Sequence, residues 1–186
     1  MKAIETKLKG CFVIEPQVFE DPRGYFFESF NQQKFKEQTG VTVQFVQDNE
    51  SYSTKGVLRG LHYQLGEHAQ AKLVRVIEGA VLDVAVDIRK DSPTLGQYES
   101  VVLSGENKKQ FFVPRGFAHG FVVLSDFARF SYKCDNFYNK TSEGGIMYND
   151  PVLNIDWHTA TLAEEGVKVL ISEKDQVLPS FKNARL

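Results

Sequence analysis

The stretch Gly56–Gln64, with the sequence GVLRGLHYQ, places an arginine and a histidine inside an apolar segment of strand length. Arg59 and His62 are followed by Lys72 at the start of the next apolar segment. Charged groups are costly inside a protein unless a partner or a ligand meets them, so these three residues predict a site for an anion or a polar substrate. Imidazole titrates near neutral pH, which makes His62 a candidate general base.

Gly60 lies between the two candidate site residues. Strict alternation along a strand would send Arg59 and His62 to opposite faces of the sheet. A glycine inside a strand often marks a β-bulge, which turns a neighbouring side chain to the other face. We therefore predict a bulge at Gly60 that lets both side chains reach one cavity, and a regular backbone there would contradict this interpretation.

A second histidine lies in Val113–Phe121, where a Pro-x-Gly-x-x-His pattern leads from a turn into a strand. Many β-barrels of the cupin superfamily complete a metal site with such a histidine and with a His-x-His pair plus a glutamate from an earlier strand. Here Gln64 replaces the second histidine of the pair, and the nearest carboxylate belongs to Glu67. We expect no metal, which leaves His62 free to act as a base; the alternative is a hydrogen-bonded core histidine.

Turn signals recur at close spacing from residue 10 to residue 150, which is typical of an all-β fold. No repeat or linker divides the chain, so we expect one domain over residues 1–186. The predicted strands are Gly10–Glu15, Tyr25–Phe30, Val41–Val46, the Gly56–Gln64 segment, Lys72–Ile77, Val81–Arg89, Tyr98–Leu103, Gln110–Val113, Gly120–Leu124 and Ala128–Lys133. Many short strands without a βαβ rhythm predict a jelly-roll-like barrel.

Short helices interrupt this pattern near residues 31–39 and in the C-terminal third. Asn31 can cap the first helix, Phe35 gives it an apolar contact, and Gly40 can end it. The second helix is predicted near Thr161–Gly166.

The strand Val81–Arg89 alternates clearly between two faces. Asp83 and Asp87 share one face and are expected to be solvated or paired. The other face is apolar and contains Leu82, Val84, Val86 and Ile88.

The composition is that of an ordinary globular protein, with 42% hydrophobic and 25% charged residues. There are 22 basic and 24 acidic residues and no basic run, so we expect neither a nucleic-acid surface nor a membrane span. Met1–Lys7 carries charges where a signal peptide would be apolar, which favours the cytoplasm. Cys11 and Cys134 are expected to be free buried thiols, because their spacing fits neither a zinc site nor a CxxC motif.

The chain as a whole resembles the dTDP-4-dehydrorhamnose 3,5-epimerase family. The resemblance rests on ordered segments that cover nearly the whole sequence: Asp21–Glu28, Phe45–Asn49, Val57–Gln64, Lys72–Arg75, Asp83–Arg89, Val113–Phe121, Tyr132-Lys133, Asn136–Tyr138, Ser142–Gly144, Tyr148–Pro151 and Ser172–Asp175. Each motif alone is modest, but the ordered set is specific. It implies a metal-free cupin jelly roll that works as a homodimer without a cofactor.

The implied reaction converts dTDP-4-dehydro-6-deoxy-α-D-glucose to dTDP-4-dehydro-β-L-rhamnose in dTDP-L-rhamnose biosynthesis. The ketone at sugar carbon 4 acidifies the protons on carbons 3 and 5, so inversion needs a base, an acid and a cation beside the enolate oxygen. By resemblance, His62 is the base, Asp175 supports its imidazole, Lys72 lies near the enolate oxygen and Tyr132 returns a proton from the opposite face.

The resemblance also implies residues that bind the nucleotide. Arg23, Arg59 and His119 match family positions that contact the diphosphate and the sugar, and Tyr138 would stack on thymine. Further implied binding residues, some of them expected from the partner subunit, are Glu28, Gln47, Asn49, Glu143 and Lys174.

Two departures from the family pattern affect the C-terminal third. Trp157-His158 stands where the family often has Trp-Pro, and residues 159–170 form a longer connection than usual. This connection could shift Asp175 away from its partner.

Two other function classes remain open at this stage. One is an enzyme that inverts a single centre or isomerises a keto-sugar, and the other is a metal-dependent cupin or a non-catalytic sugar-binding module. The presence of both His62 and Tyr132 argues against a binding module, because binding alone needs no base paired with an acid.

Overall fold

The computed structural model describes residues 1–186 and contains thirteen strands and three short α-helices. The strands are β1 (Lys2–Glu5), β2 (Phe12–Glu15), β3 (Phe19–Asp21), β4 (Gly24–Phe26), β5 (Gln47–Thr54), β6 (Leu58–Gln64), β7 (Lys72–Glu78), β8 (Ala80–Asp87), β9 (Tyr98–Ser104), β10 (Gln110–Val113), β11 (Phe117–Val123), β12 (Phe127–Cys134) and β13 (Glu143–Gly145). The helices are α1 (Gln32–Thr39), α2 (Thr159–Glu164) and α3 (Glu173–Gln176). None of these helices is long and apolar enough to cross a membrane.

Two antiparallel sheets face each other and form the barrel. The six-stranded sheet has the order β1-β2-β10-β7-β12-β5, and the five-stranded sheet has the order β13-β6-β11-β8-β9. Strands β3 and β4 form a separate hairpin. The predicted jelly-roll barrel is therefore confirmed.

Three apolar clusters hold these layers together. The first fills the space between the sheets, where the rings of Phe121 and Phe130 stack with centroids 4.3 Å apart. The second joins the outer face of the five-stranded sheet to the C-terminal third, including Trp157 and Leu162. The third lies between the six-stranded sheet and α1, where Phe35 meets Phe112 edge to face.

The helices lie close to their predicted positions. The Asn31 side chain accepts a hydrogen bond from the backbone N–H of Lys34, and Gly40 ends α1 with φ of 73°, so both predicted ends of this helix are confirmed. Helix α2 begins two residues earlier than predicted, at Thr159.

Two strand predictions are wrong in their extent. Residues 41–46 form no ladder with a neighbouring strand, although Val43 is buried against the third cluster. Only at the end of this segment does the backbone meet the sheet, where the N–H of Val46 donates to the carbonyl of Cys134 at 2.9 Å. The polar strand β5 follows instead and pairs with β12. The strand predicted over Tyr25–Phe30 ends at Phe26, where the hairpin ends.

The predicted bulge at Gly60 is confirmed. On β11, His119 pairs with His62 and Phe121 pairs with Arg59, so two steps on β11 correspond to three steps on β6. Gly60 has φ of 117°, and a Cβ there would lie 2.7 Å from the backbone of Gly120. Only glycine fits this position.

The acidic face of β8 points into the barrel, and both of its carboxylates are paired. Asp83 contacts His119, and Asp87 contacts Arg89. Both aspartates are fully buried, so pairing rather than solvation is the correct alternative. Cys11 and Cys134 are free and buried, as predicted.

Candidate active site

A cavity of about 660 Å³ opens between the two sheets. His62 reaches it from β6, whereas Lys72 and Tyr132 reach it from β7 and β12 of the facing sheet. The candidate base and the candidate acid therefore come from opposite walls. The other predicted site residues that line this cavity are Asn49, Arg59, His119, Lys174 and Asp175.

His62 and Asp175 are in direct contact in the cavity, with 2.6 Å between Nε2 and Oδ1. Asp175 is 4% exposed, and its other oxygen accepts a bond from the Gly60 N–H at 3.4 Å. Burial raises the pKa of Asp175, but the hydrogen bond and charge of His62, together with the hydrogen bonds from Gly60 and Ser172, outweigh it, so the pKa lies below its ordinary value. Asp175 thus stays ionised, and Nδ1 of His62 is left to accept a proton.

Lys72 and Tyr132 lie side by side on the opposite wall, with the Lys72 ammonium 5.9 Å from the centre of the Tyr132 ring. Lys72 makes no ion pair, and removal from water lowers its pKa. Burial also disfavours the charged form of Tyr132, which raises its pKa, so the phenol keeps its proton at neutral pH. The wall therefore offers an unpaired cation next to a protonated acid.

Two further cavity residues are held by side chains that the sequence interpretation did not assign to the site. Asp83 binds Nε2 of His119 with both oxygens, at 2.9 and 3.0 Å. Ser53 accepts a hydrogen bond from Nε of Arg59 at 3.1 Å. These contacts fix the orientation of two groups that point at the cavity.

A smaller cavity of about 200 Å³ adjoins the first and shares Asn49, His62, Lys72 and Tyr132 with it. Four of the predicted binding residues line it: Gln47, Asn49, Tyr138 and Glu143. The Tyr138 hydroxyl donates to Glu143 at 3.1 Å.

The carboxylate of Glu143 is held by two partners. Lys174 pairs with it in addition to Tyr138. Burial raises the pKa of Glu143, but the hydrogen bonds from Lys174 and Tyr138 outweigh it, so the pKa lies below its ordinary value.

Gln64 also borders the smaller cavity, and its Oε1 accepts the N–H of Asn139 at 2.9 Å. The residue that replaces the second histidine of the metal pattern therefore anchors the loop next to Tyr138.

Arg23 and Glu28 are not brought to either cavity. Arg23 lies at the turn of the β3–β4 hairpin, where its side chain is 90% exposed and pairs with Asp21. Glu28 pairs with Lys34 of α1. Within one chain, these two predicted binding residues are separated from the rest.

The sequence matches a family model described as dTDP-4-dehydrorhamnose 3,5-epimerase over residues 5–183. The chain belongs to the dTDP-4-dehydrorhamnose 3,5-epimerase family. It is 53% identical over 186 residues to the dTDP-4-dehydrorhamnose 3,5-epimerase of Salmonella typhimurium, covering all of this chain and 98% of that protein. It is 51% identical to the protein of the same name in Methanothermobacter thermautotrophicus, over 93% of this chain and 90% of that one.

Solved structures of this epimerase family share the fold. A dTDP-4-dehydrorhamnose 3,5-epimerase from Elizabethkingia anophelis has a TM-score of 0.91 at 60% identity, covering 98% of this chain and 97% of that one. A 3,5-epimerase from Legionella pneumophila in complex with dTDP-4-keto-L-rhamnose has a TM-score of 0.91 at 50% identity, covering 98% and 93%. A 3'-monoepimerase from Streptomyces bikiniensis in complex with dTDP-quinovose has a TM-score of 0.86 at 31% identity, covering 98% and 88%.

The departures from the epimerase pattern do not displace Asp175. His158 has φ of 56° and precedes α2, and the preceding Trp157 is buried with its indole N–H donating to the Tyr148 carbonyl at 2.7 Å. After α2, Leu170 returns to the barrel edge and exchanges backbone hydrogen bonds with Gly56 and Leu58. The longer connection therefore packs on the outer face of the five-stranded sheet, through Leu162 and Val167, before the chain reaches α3.

Proposed function

We propose that this chain inverts carbons 3 and 5 of dTDP-4-dehydro-6-deoxy-α-D-glucose and forms dTDP-4-dehydro-β-L-rhamnose. The observation that carries the proposal is the His62–Asp175 pair on one wall of the cavity, facing Tyr132 and Lys72 on the other. Each inversion removes a proton from one side of a sugar carbon and returns one from the other side, which is the arrangement that two opposite walls provide.

In the proposed step, Nδ1 of His62 takes the proton on the carbon next to the ketone, and the electron pair of the C–H bond moves to form the enolate. Asp175 stabilises the imidazolium that results. The unpaired Lys72 ammonium stabilises the negative enolate oxygen. Tyr132 then donates its phenolic proton to the carbon from the opposite wall, after which Tyr132 regains a proton from solvent and the imidazolium of His62 releases one to solvent.

Positive groups around the cavity support binding of a diphosphate. Arg59, His119 and Lys174 all line it, and the guanidinium of Arg59 is oriented by Ser53. The half-exposed ring of Tyr138, beside the smaller cavity, offers a stacking surface for thymine. Asn49 and Gln47 add amide groups along the same path.

We further propose that the chain works as a homodimer in which the hairpin completes the partner's site. Phe19, Tyr25 and Phe26 on this hairpin are each more than half exposed, an apolar area that a second copy would cover. Arg23 at its tip borders neither of the two site cavities of its own chain, and a second guanidinium suits a diphosphate. The 186 residues act as one domain in the cytoplasm and need no cofactor.

Exchange of hydrogen for deuterium tests the proposed reaction. The protein is incubated with dTDP-4-dehydro-6-deoxyglucose in heavy water, and deuterium at carbons 3 and 5 is counted by NMR. Deuterium with inversion at both carbons is the expected result. Exchange at one carbon alone would favour a single-centre epimerase like the Streptomyces 3'-monoepimerase, and exchange at neither would exclude both.

The metal-dependent alternative is tested on the same sample. Activity should survive chelation with no metal bound in stoichiometric amount, whereas bound iron or manganese required for exchange would overturn the acid–base mechanism.

A further inference from the structure

Gly145 lies directly opposite His62 in the ladder between β13 and β6. Its own backbone is ordinary strand, so the position needs glycine only for space. A Cβ added there would lie 2.6 and 2.9 Å from the two methyl carbons of Leu178 and 3.0 Å from the carbonyl oxygen of Leu61. The isobutyl group of Leu178 therefore sits where the side chain opposite the base would otherwise be.

Asp175 lies in α3, a single turn of four residues in which only Asp175 is buried, and Leu178 follows Asp175 by three residues. One helical turn has little stability of its own, because the first hydrogen bond fixes several residues at once. Apart from the bonds of its own oxygens to His62 and to the Gly60 N–H, the position of the Asp175 carboxylate therefore depends on the contacts on either side of α3.

Those contacts are few. Before the helix, the Ser172 hydroxyl accepts the backbone N–H of Asp175 at 3.1 Å. After it, Val177 is 82% exposed, so Leu178 is the first residue beyond α3 that packs on the barrel. The backbone carbonyl of Pro179 then accepts the N–H of Met147 at 2.9 Å.

We propose that Leu178, seated on Gly145, is a positioning residue that holds Asp175 against His62. It lines neither of the two cavities, and it acts by fixing the end of the segment that carries the carboxylate. This inference rests on the proposed function for the role of His62 as the base, but its test reads the His62–Asp175 contact directly.

The test compares Leu178→Ala with Val177→Ala, a matched truncation of the exposed neighbour. His62 donates its Nε2 proton to Asp175 in a short hydrogen bond, so the NMR signal of that proton should lie far downfield and should move upfield when Asp175 is loosened. We expect this shift in Leu178→Ala and not in Val177→Ala. The proton is followed by NMR with ¹⁵N-labelled histidine; the chain has four histidines, and the His62 signals are those missing from the spectrum of His62→Ala.

Kinetics give the second measurement. In Leu178→Ala, kcat should fall on the order of tenfold with little change in KM, because a base displaced from its productive position loses rate rather than binding. Leu178→Met, which keeps the volume, should restore most of the rate. A fall in melting temperature without any shift of the His62 N–H signal would overturn the proposal.

A double-mutant cycle gives the final check. If Leu178 acts through the carboxylate, Leu178→Ala should cost almost nothing further in kcat in a chain that already carries Asp175→Asn. Full additivity of the two losses would show that Leu178 acts elsewhere and would contradict the inference. A protein with the expected His62 shift but without epimerase activity would instead contradict the proposed function alone.

Discussion

The two histidines of the cavity, His62 and His119, differ in the groups that surround their rings. His62 has Asp175 on one ring nitrogen and open cavity on the other side, whereas His119 is buried with its ring held by both oxygens of Asp83. On the proposed function, the same side chain serves as the base at one position and as a binding group at the other. Gln64, at the position where the metal pattern has its second histidine, binds the backbone of Asn139 instead of supplying another imidazole to the cavity.

His62→Ala should be the most damaging single change. Without the base, neither carbon 3 nor carbon 5 should exchange its proton, and the rate should fall by about a hundred- to ten-thousand-fold. The measurement is deuterium incorporation in heavy water. His68→Ala, a histidine that borders neither cavity, is the control and should exchange at the normal rate. Equal loss in both variants would contradict the assignment.

Tyr132→Phe separates proton removal from inversion. The variant keeps the ring beside Lys72 and loses only the acid, so His62 should still form the enolate and return deuterium to the face it came from. We expect exchange without inversion, seen as deuterium in recovered starting material by NMR. Tyr52→Phe, a change at an exposed ring on β5, should behave as the wild type. Normal inversion in Tyr132→Phe would assign the acid to another group.

At the scale of elements, strands are recognisable where chemistry and periodicity agree. The apolar alternation of β8 and the turn at Asp21–Gly24 predict their structures correctly, and the bulge at Gly60 follows from the conflict between Arg59 and His62. Partners distant in sequence are harder to predict. Residues 41–46 have strand-like composition but form no ladder, since only Val46 at their end bonds to β12, whereas polar β5 is a strand because β12 lies beside its whole length.

The same limit applies to the candidate site. His62, Lys72 and His119 stand out as polar groups in apolar segments, so their types and spacing suffice to predict them. Asp175 and Tyr132 required the family resemblance, since only the fold brings residues 113 and 70 positions from His62 into its cavity. Asp83 could have been suspected from the sequence, because it is a charged residue on a strand predicted to be buried. Nothing in the sequence points to Ser53.

The turn after β8 should make stability depend on pH. Asp87 is fully buried and accepts five hydrogen bonds, from the backbone and side chain of Arg89 and from Ser92 and Thr94. Burial raises its pKa, but these bonds outweigh it and bring the pKa from 3.8 to about 2. A depressed pKa stabilises the fold above the unfolded value, by about 2 kcal/mol, and this contribution is lost as pH falls from about 4 to about 2.

Asp87→Asn tests that contribution. The free energy of unfolding is measured by urea denaturation at pH 7 and near pH 2, and the gap between wild type and variant should be larger at pH 7 by about 2 kcal/mol. Asp91→Asn, at an exposed neighbouring position, should show a gap close to zero at both values. A gap for Asp87→Asn that does not change with pH would contradict the ionised network.

At the scale of the whole molecule, two outer faces are covered and one element is not. The C-terminal third covers the five-stranded sheet, and α1 covers part of the six-stranded sheet. The β3–β4 hairpin projects with its aromatic residues exposed and carries Arg23 away from the chain's own cavity. A homodimer would bury this hairpin and give each cavity an additional guanidinium.

Mixing two inactive variants tests whether Arg23 serves the partner's site. Arg23→Ala and His62→Ala chains are unfolded together and refolded in equal amounts. If Arg23 acts across the interface, each mixed dimer has one site with both residues intact, so about a quarter of wild-type activity should return. If light scattering shows dimers but the mixture recovers no activity, Arg23 acts in the site of its own chain.

The stacked rings of Phe121 and Phe130 join the two sheets directly beside the cavity. Because the proposed base lies on one sheet and the proposed acid on the other, the size of these two stacked rings sets the distance between base and acid across the cavity. Two side chains without acid–base chemistry thus determine the spacing that the reaction requires. The sugar ring that fits between the walls is selected by the core of the protein as much as by its charges.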